Sequence, residues 1–198
     1  RLRNEKMILE AIVTTKHDDG SPNVSPMGPE VCDSGSWSDF VLKPYTSSNT
    51  YANLKREGKG VLHITDDVML LACAAINVWS QEARFLAMPE VDGYVLEGSC
   101  QWFEFKVTSL DDSQQRTRIE CEVTAQGKLR EFFGFNRAKH AVLEAAILAT
   151  RTKFIPSGEI LSQLRHLKVI VAKTAGEQEN KAFQLLEQFI AAQLSGCC

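Results

Sequence analysis

Two different hydrophobic periods divide this chain. Up to Thr124, short β-prone runs with period-two alternation are broken by turns and brief helical stretches; after Gly127 the apolar residues recur at helical spacing. Strands first and helices last is the order of an α+β protein with an antiparallel sheet, because the strand-helix alternation that builds a parallel sheet is missing. The expected architecture is an antiparallel barrel or sandwich over residues 1–128, with a helical region over 129–198 packed on it. At 198 residues and 22.1 kDa, the chain can bury roughly two-thirds or more of its unfolded surface and needs no covalent staple.

Local signals fill in this plan. A strand-prone run over 8–15 is followed by Asp18-Asp19-Gly20 and a second extended stretch, Pro22–Met27; Asp-Gly supplies the positive φ of a tight hairpin. A third strand spans 39–44. Ser48 suits the N-cap of a short helix that Gly58 ends, and a strand over 60–65 precedes an apolar helix over 68–77 capped by Asp66 or Asp67. Residues 79–96 show no clear period. The stretches 100–108 and 117–124 alternate, with Ile119, Cys121 and Val123 on one face. Asn136 caps a helix through Leu148 that Pro156 is expected to stop, and two more helices follow, over 159–172 and after Gly176.

The charge balance narrows the function classes. Net charge is −3 with a pI near 5.9, and no Lys/Arg block supplies the basic face a nucleic-acid binder needs. The longest apolar run, 68–78, falls short of the roughly 18 residues that cross a bilayer, so no membrane partner is expected. Six cysteines show no C-x-x-C spacing, which argues against a metal site and for a reducing, cytoplasmic setting. Without a preceding polybasic stretch, Cys197-Cys198 reads as a reactive tail rather than a lipidation signal. Serine-hydrolase, P-loop, dinucleotide-fold and zincin motifs are missing, and the aromatic runs 102–105 and 132–135 read as core.

Three places could carry chemistry. Thr46, Ser47, Ser48 and Thr50 cluster at the start of a helix, with Lys43 just before; hydroxyls and N–H groups converging at a positive helix end suit a phosphate, although Ser and Thr also serve as plain caps. Ser25-Pro26-Met27-Gly28-Pro29 either ends a strand or lets a flat ring approach main-chain donors at Gly28. Arg137, Lys139 and His140 oppose the dipole at another helix start, which calls for an anion or carboxylate nearby. His63, alone in its strand, reads as a structural group or a ligand contact.

The hairpin, the Ser25-Pro26-Met27-Gly28 corner and the segment Tyr45-Thr46-Ser47-Ser48-Asn49-Thr50-Tyr51 before a strand resemble the FMN-binding split barrel of flavin reductases and pyridoxamine-phosphate-oxidase-like proteins. This resemblance covers about the first two-thirds. Over nearly its whole length, including the run from Phe133 to His140 and that from Glu144 to Arg151, the chain is similar to an uncharacterised prokaryotic family, number 447 among domains of unknown function. The resemblance implies an antiparallel split β-barrel with a helical C-terminal third and FMN as cofactor. It also implies a homodimer with FMN near the subunit interface. Ser47, Ser48 and Thr50 would hold the phosphate, with Lys43, Tyr45, Thr46 and Asn49 around them. Ser25, Pro26, Met27 and Gly28 would line the ring edge, His63 would lie where flavin reductases often carry Asn, and Arg137 or Lys139 could reach the phosphate. The activity implied is hydride or electron transfer through FMN to a small molecule. The alternatives are a non-catalytic flavin or phosphorylated-ligand module and a dimer that holds no flavin.

Overall fold

The computed structural model describes residues 6–32, 37–78, 85–88 and 90–195. They group into two compact units, Arg1–Thr65 with Glu82–Glu131, and Asp66–Gln81 with Phe132–Cys198.

The first unit is built on one long hairpin. Strands β1 (Lys6–Ile8) and β2 (Ala11–Lys16) run antiparallel to β3 (Pro22–Met27) and β4 (Glu30–Cys32) in a single register, from Lys6 opposite Cys32 to Lys16 opposite Pro22. Gly20, with φ at 80°, makes the expected turn. The hairpin then meets two different neighbours. β2 pairs with β6 (Lys59–Ile64), whereas β4 pairs with β5 (Asp39–Leu42). From β5 the sheet continues through β10 (Arg118–Lys128) and β9 (Gln101–Asp111) back to β6, giving the order β1-β4-β5-β10-β9-β6-β2-β3.

Because both ends of that order belong to one hairpin, the sheet curls into an antiparallel split barrel. The split falls at Gly28-Pro29. Pro29 has no N–H to give, so pairing there shrinks to Leu9 N–H on Pro29 O at 3.2 Å. Residues from six strands and Leu54 share one core, with Phe40 edge-on to Phe105 at 5.2 Å. Along β10 the expected alternation holds, Ile119 and Cys121 buried and Glu120 and Glu122 exposed.

His63 is sealed inside this barrel. Its Nδ1 lies 3.2 Å from Ile12 O and its Nε2 accepts the Leu96 N–H at 3.2 Å, an arrangement that requires the neutral ring. Burial pushes its pKa down to about 4. Leu96 belongs to β8 (Val95–Leu96), paired with β7 (Phe85–Leu86). The preceding loop is pinned by Asp92, which bridges Lys16 and Lys59; these two hydrogen bonds hold its carboxyl down to about 2.

The second unit is helical: α2 (Val68–Ile76), α3 (Arg137–Ala149), α4 (Ser157–Thr174) and α5 (Glu177–Ser195). Asp67 caps α2 by accepting from Met69 N and Leu70 N, and Asn136 caps α3 likewise through Ala138 N and Lys139 N. α3 is the hub, presenting Ala138, Ala141, Val142 and Ala145 as a small-residue face to α2, α4 and α5.

Two expectations need correction. Pro156 starts α4 instead of stopping α3, which already ends at Thr150, because proline's missing N–H is harmless at a helix start. The aromatic run 132–135 is not core: Phe133 and Phe135 are 88% and 91% exposed, in a segment without regular structure where no periodicity turns them inward. Trp102, Phe103 and Phe105 are buried as expected. The described cysteines Cys32, Cys73, Cys100 and Cys121 are free, and Cys197-Cys198 lies outside the described residues. No described helix is long and apolar enough to cross a membrane.

His63 makes barrel stability depend on pH. Its folded-state pKa lies below the ordinary 6.5, so the unfolded chain takes up the proton first. The contribution is full above pH 6.5 and is lost as pH falls toward 4, at up to about 1.4 kcal/mol per pH unit. Urea midpoints followed by tryptophan fluorescence should drop across that window in the wild type and much less in His63→Gln; equal slopes would contradict this.

Candidate functional site

The start of α1 (Asn49–Glu57) is held from three sides within the barrel unit. First, Tyr45 and Arg116 form an antiparallel bridge. Around it, Thr46 N–H donates to Gln115 O at 2.9 Å, Thr117 N–H to Pro44 O at 3.0 Å and the Thr117 hydroxyl to Pro44 O at 2.8 Å. The turn into the helix is thereby stapled to the end of the β9–β10 hairpin. Second, the inner face of α1 docks on β2 and β3. Asn23 Nδ2 donates to both Thr15 Oγ1 and Thr50 Oγ1 at 3.1 Å, and Asn53 Nδ2 donates to Thr15 Oγ1 at 2.9 Å. Third, Tyr51 OH and Lys55 Nζ donate to Asp112 Oδ2 at 2.6 and 2.7 Å, which holds the Asp112 carboxyl below its usual range.

This clamp sorts the hydroxyls that sequence alone could not. Ser48 is the N-cap, accepting from Tyr51 N at 3.2 Å and donating to Tyr45 O at 2.8 Å, so its oxygen is engaged by the helix itself. Thr50 is 1% exposed and bonded to Asn23, so the expectation that it holds a phosphate is corrected: helical phase turns it inward. Ser47 and Asn49 are exposed and Thr46 half-buried. Lys43 pairs with Glu30, which also draws Arg118 to 3.9 Å. Tyr45 is exposed and carries the Arg116 guanidinium 5.6 Å from its ring centre. His63 leaves the candidate set, since both ring nitrogens are used and the side chain is fully enclosed.

The other corner lies at the barrel's split. His17 N–H on Ser21 O at 2.9 Å sets the hairpin's hydrogen-bond phase, which turns Asn23, Ser25 and Met27 toward β2 and leaves Pro22, Val24, Pro26 and Gly28 on the open edge. Pro22 and Pro26 blunt that edge. Of Ser25, Pro26, Met27 and Gly28, Gly28 is the residue whose N–H faces outward. A Cβ added to Gly28 would come within 2.9 Å of Ile8 Cγ2, so the space expected for a ring's approach is taken by Ile8. The Asn23–Thr50 bond puts this edge strand beside the start of α1.

Arg137 and Lys139 belong to the helical unit. Lys139 Nζ donates to Asp66 O at 2.7 Å and lies 3.6 Å from Asp66 Oδ2 and 3.9 Å from Glu179 Oε1. Asp66 also accepts the Phe133 N–H at 2.8 Å, and Glu179 accepts the Gly176 N–H at 2.9 Å. The conflict of basic residues at a helix start is thus resolved by carboxylates, and Lys139 is corrected from ligand candidate to structural cation. Arg137 is exposed. Among the described residues, no three His, Cys, Asp or Glu are arranged to hold a metal. Sequence reasoning missed Arg116 and Asn23, because only tertiary pairing carries them to the turn.

These features define a split β-barrel paired in sequence with a helical C-terminal region. The chain belongs to the family described as "Protein of unknown function (DUF447)", whose N-terminal and C-terminal domain models match residues 9–130 and 136–188. Among solved structures, the fold resembles that of an FMN-bound protein of the same family from Methanosarcina mazei. The TM-score is 0.78 at 22% identity, covering 94% of this chain and 96% of that one. The flavin reductase of styrene monooxygenase from Pseudomonas putida S12 matches with a TM-score of 0.51 at 15% identity, over 60% of this chain and 78% of that one. A flavin reductase domain protein from Arthrobacter sp. FB24 also gives 0.51 at 15% identity, over 62% and 78%. No curated protein matches the sequence.

Replacing Lys139 by Met would leave Asp66 and Glu179 facing each other without their shared cation. The helical unit should lose about 3–5 kcal/mol, and adding Asp66→Asn should restore part of it. Urea unfolding followed by helical circular dichroism reads this out; an unchanged midpoint in Lys139→Met would contradict it.

Proposed function

We propose that this protein binds FMN in its barrel unit and passes hydride or electrons through it to a small molecule, as a cytoplasmic homodimer with FMN near the subunit interface. The observation that carries the reading is the donor set at the start of α1: the Ser47 hydroxyl exposed, Thr46 beside it, Arg116 overhead and no acidic residue in the first helical turn. A phosphate monoester fits that chemistry, because its oxygens accept hydrogen bonds and its charge favours a positive helix end. Thr46, Ser47 and Asn49 would hold the phosphate, and Gly28 N–H with the open edge of β3 would meet the rim of the ring system. The FMN-bound family member and the two flavin reductases support the choice of cofactor.

When bound, FMN supplies the hydride and single-electron chemistry. The residues of this chain supply position and field. Ser48 and the Asn23–Thr50–Asn53 network fix the helix start before any ligand arrives, which keeps the ordering cost of binding low. The free thiols of Cys32, Cys73, Cys100 and Cys121 agree with a reducing compartment. The exposed Phe133 and Phe135 offer apolar area to a second copy.

Protein purified without added flavin should be yellow, and FMN at a hundred times its dissociation constant should stabilise the fold by about 2.7 kcal/mol. Light scattering should give twice the 22.1 kDa chain mass. NAD(P)H oxidation above that of free flavin would support catalysis, whereas tight FMN with no such oxidation would favour a binding module. Colourless protein with no thermal shift in FMN would contradict the reading as a whole.

A further inference from the structure

Most ionic groups around the start of α1 already have partners: Lys43 pairs with Glu30, Lys55 with Asp112, and Arg118 with Glu120 at 3.1 Å. Arg116 differs. It has no carboxylate within ion-pair distance among the described residues, and its guanidinium lies over the exposed ring of Tyr45. Its backbone is fixed on both sides, by Gln115 O accepting from Thr46 N–H and by Thr117 N–H donating to Pro44 O. The root of this side chain therefore keeps a constant position relative to Thr46 and Ser47.

Resting on the FMN reading above, we propose that Arg116 grips the flavin phosphate and makes this site select the phosphorylated flavin over riboflavin. Stacking on Tyr45 occupies one face of the guanidinium and limits its rotamers, leaving the N–H edge for a planar fork of hydrogen bonds to phosphate oxygens. Hydroxyls alone discriminate weakly, since they bond to neutral and charged oxygens alike. An unpaired guanidinium responds to charge and carries no competing internal ion pair that binding must break. Tyr45 is then a positioning residue, acting through Arg116.

The test is equilibrium titration of flavin fluorescence with the wild type, Arg116→Gln and Arg116→Lys, using FMN and riboflavin as separate ligands. Arg116→Gln should lose about ten- to a hundred-fold in FMN affinity with riboflavin affinity unchanged, and Arg116→Lys should fall between. Raising salt should weaken FMN binding in the wild type more than in Arg116→Gln. Urea midpoints should stay equal, because Arg116 is exposed and ion-paired to nothing described. Unchanged FMN affinity in Arg116→Gln, or an equal loss for both flavins, overturns the proposal while leaving the FMN reading standing. Wild type that binds no FMN overturns both.

Discussion

One hairpin with two sets of neighbours closes this barrel. Its strands keep a single register from Lys6 opposite Cys32 to Lys16 opposite Pro22, yet the half near the turn hydrogen-bonds to β6 and the open half to β5. A shift of one residue would turn Ile12, Val13 and the rest of β2 to the opposite faces, so the core fixes the register as firmly as the turn does. The change of neighbour needs a break in the ladder, and Gly28-Pro29 provides it: proline withholds an N–H where the halves diverge, and glycine leaves room for Ile8. The sheet's open edge is thus a by-product of the way it closes.

The candidate site inherits its rigidity from the same hairpin. Asn23 on β3 and Thr15 on β2 meet Thr50 and Asn53 in a buried polar network, and each of these hydrogen bonds would leave an unsatisfied partner if α1 moved away. On its other side, the helix is tied to the β9–β10 hairpin through Asp112 and the Tyr45–Arg116 bridge. Nothing in the turn itself needs to be rigid. Its neighbours hold it, which leaves Ser47 and the Arg116 guanidinium exposed.

Local signals made much of this legible. Asp18-Asp19-Gly20 announced the hairpin, while Ser48, Gly58, Asp67 and Asn136 marked helix ends, because caps and tight turns depend on residues adjacent in sequence. The three-residue strand Glu30–Cys32 was too short to show alternation. Four hydroxyls at the start of α1 were visible, but not that Thr50 faces β3 while Ser47 faces outward, a distinction set by docking. Arg116 lies 71 residues from Tyr45 and is joined to it only by strand pairing. Phe132, Phe133 and Phe135 show the opposite failure: strong apolarity without periodicity did not bury them. Lys139 was rightly read as a charge needing a counter-ion, and its carboxylates came from Asp66 and Glu179, far along the chain in both directions.

The claim on which the functional account stands is spatial. A crystal structure of the protein grown with FMN decides it most directly: the phosphate should lie within hydrogen-bond distance of Ser47 Oγ and the Arg116 guanidinium, with the ring system along the edge of β3 near Gly28. A flavin bound elsewhere, or that turn filled by water alone at saturating FMN, would contradict it.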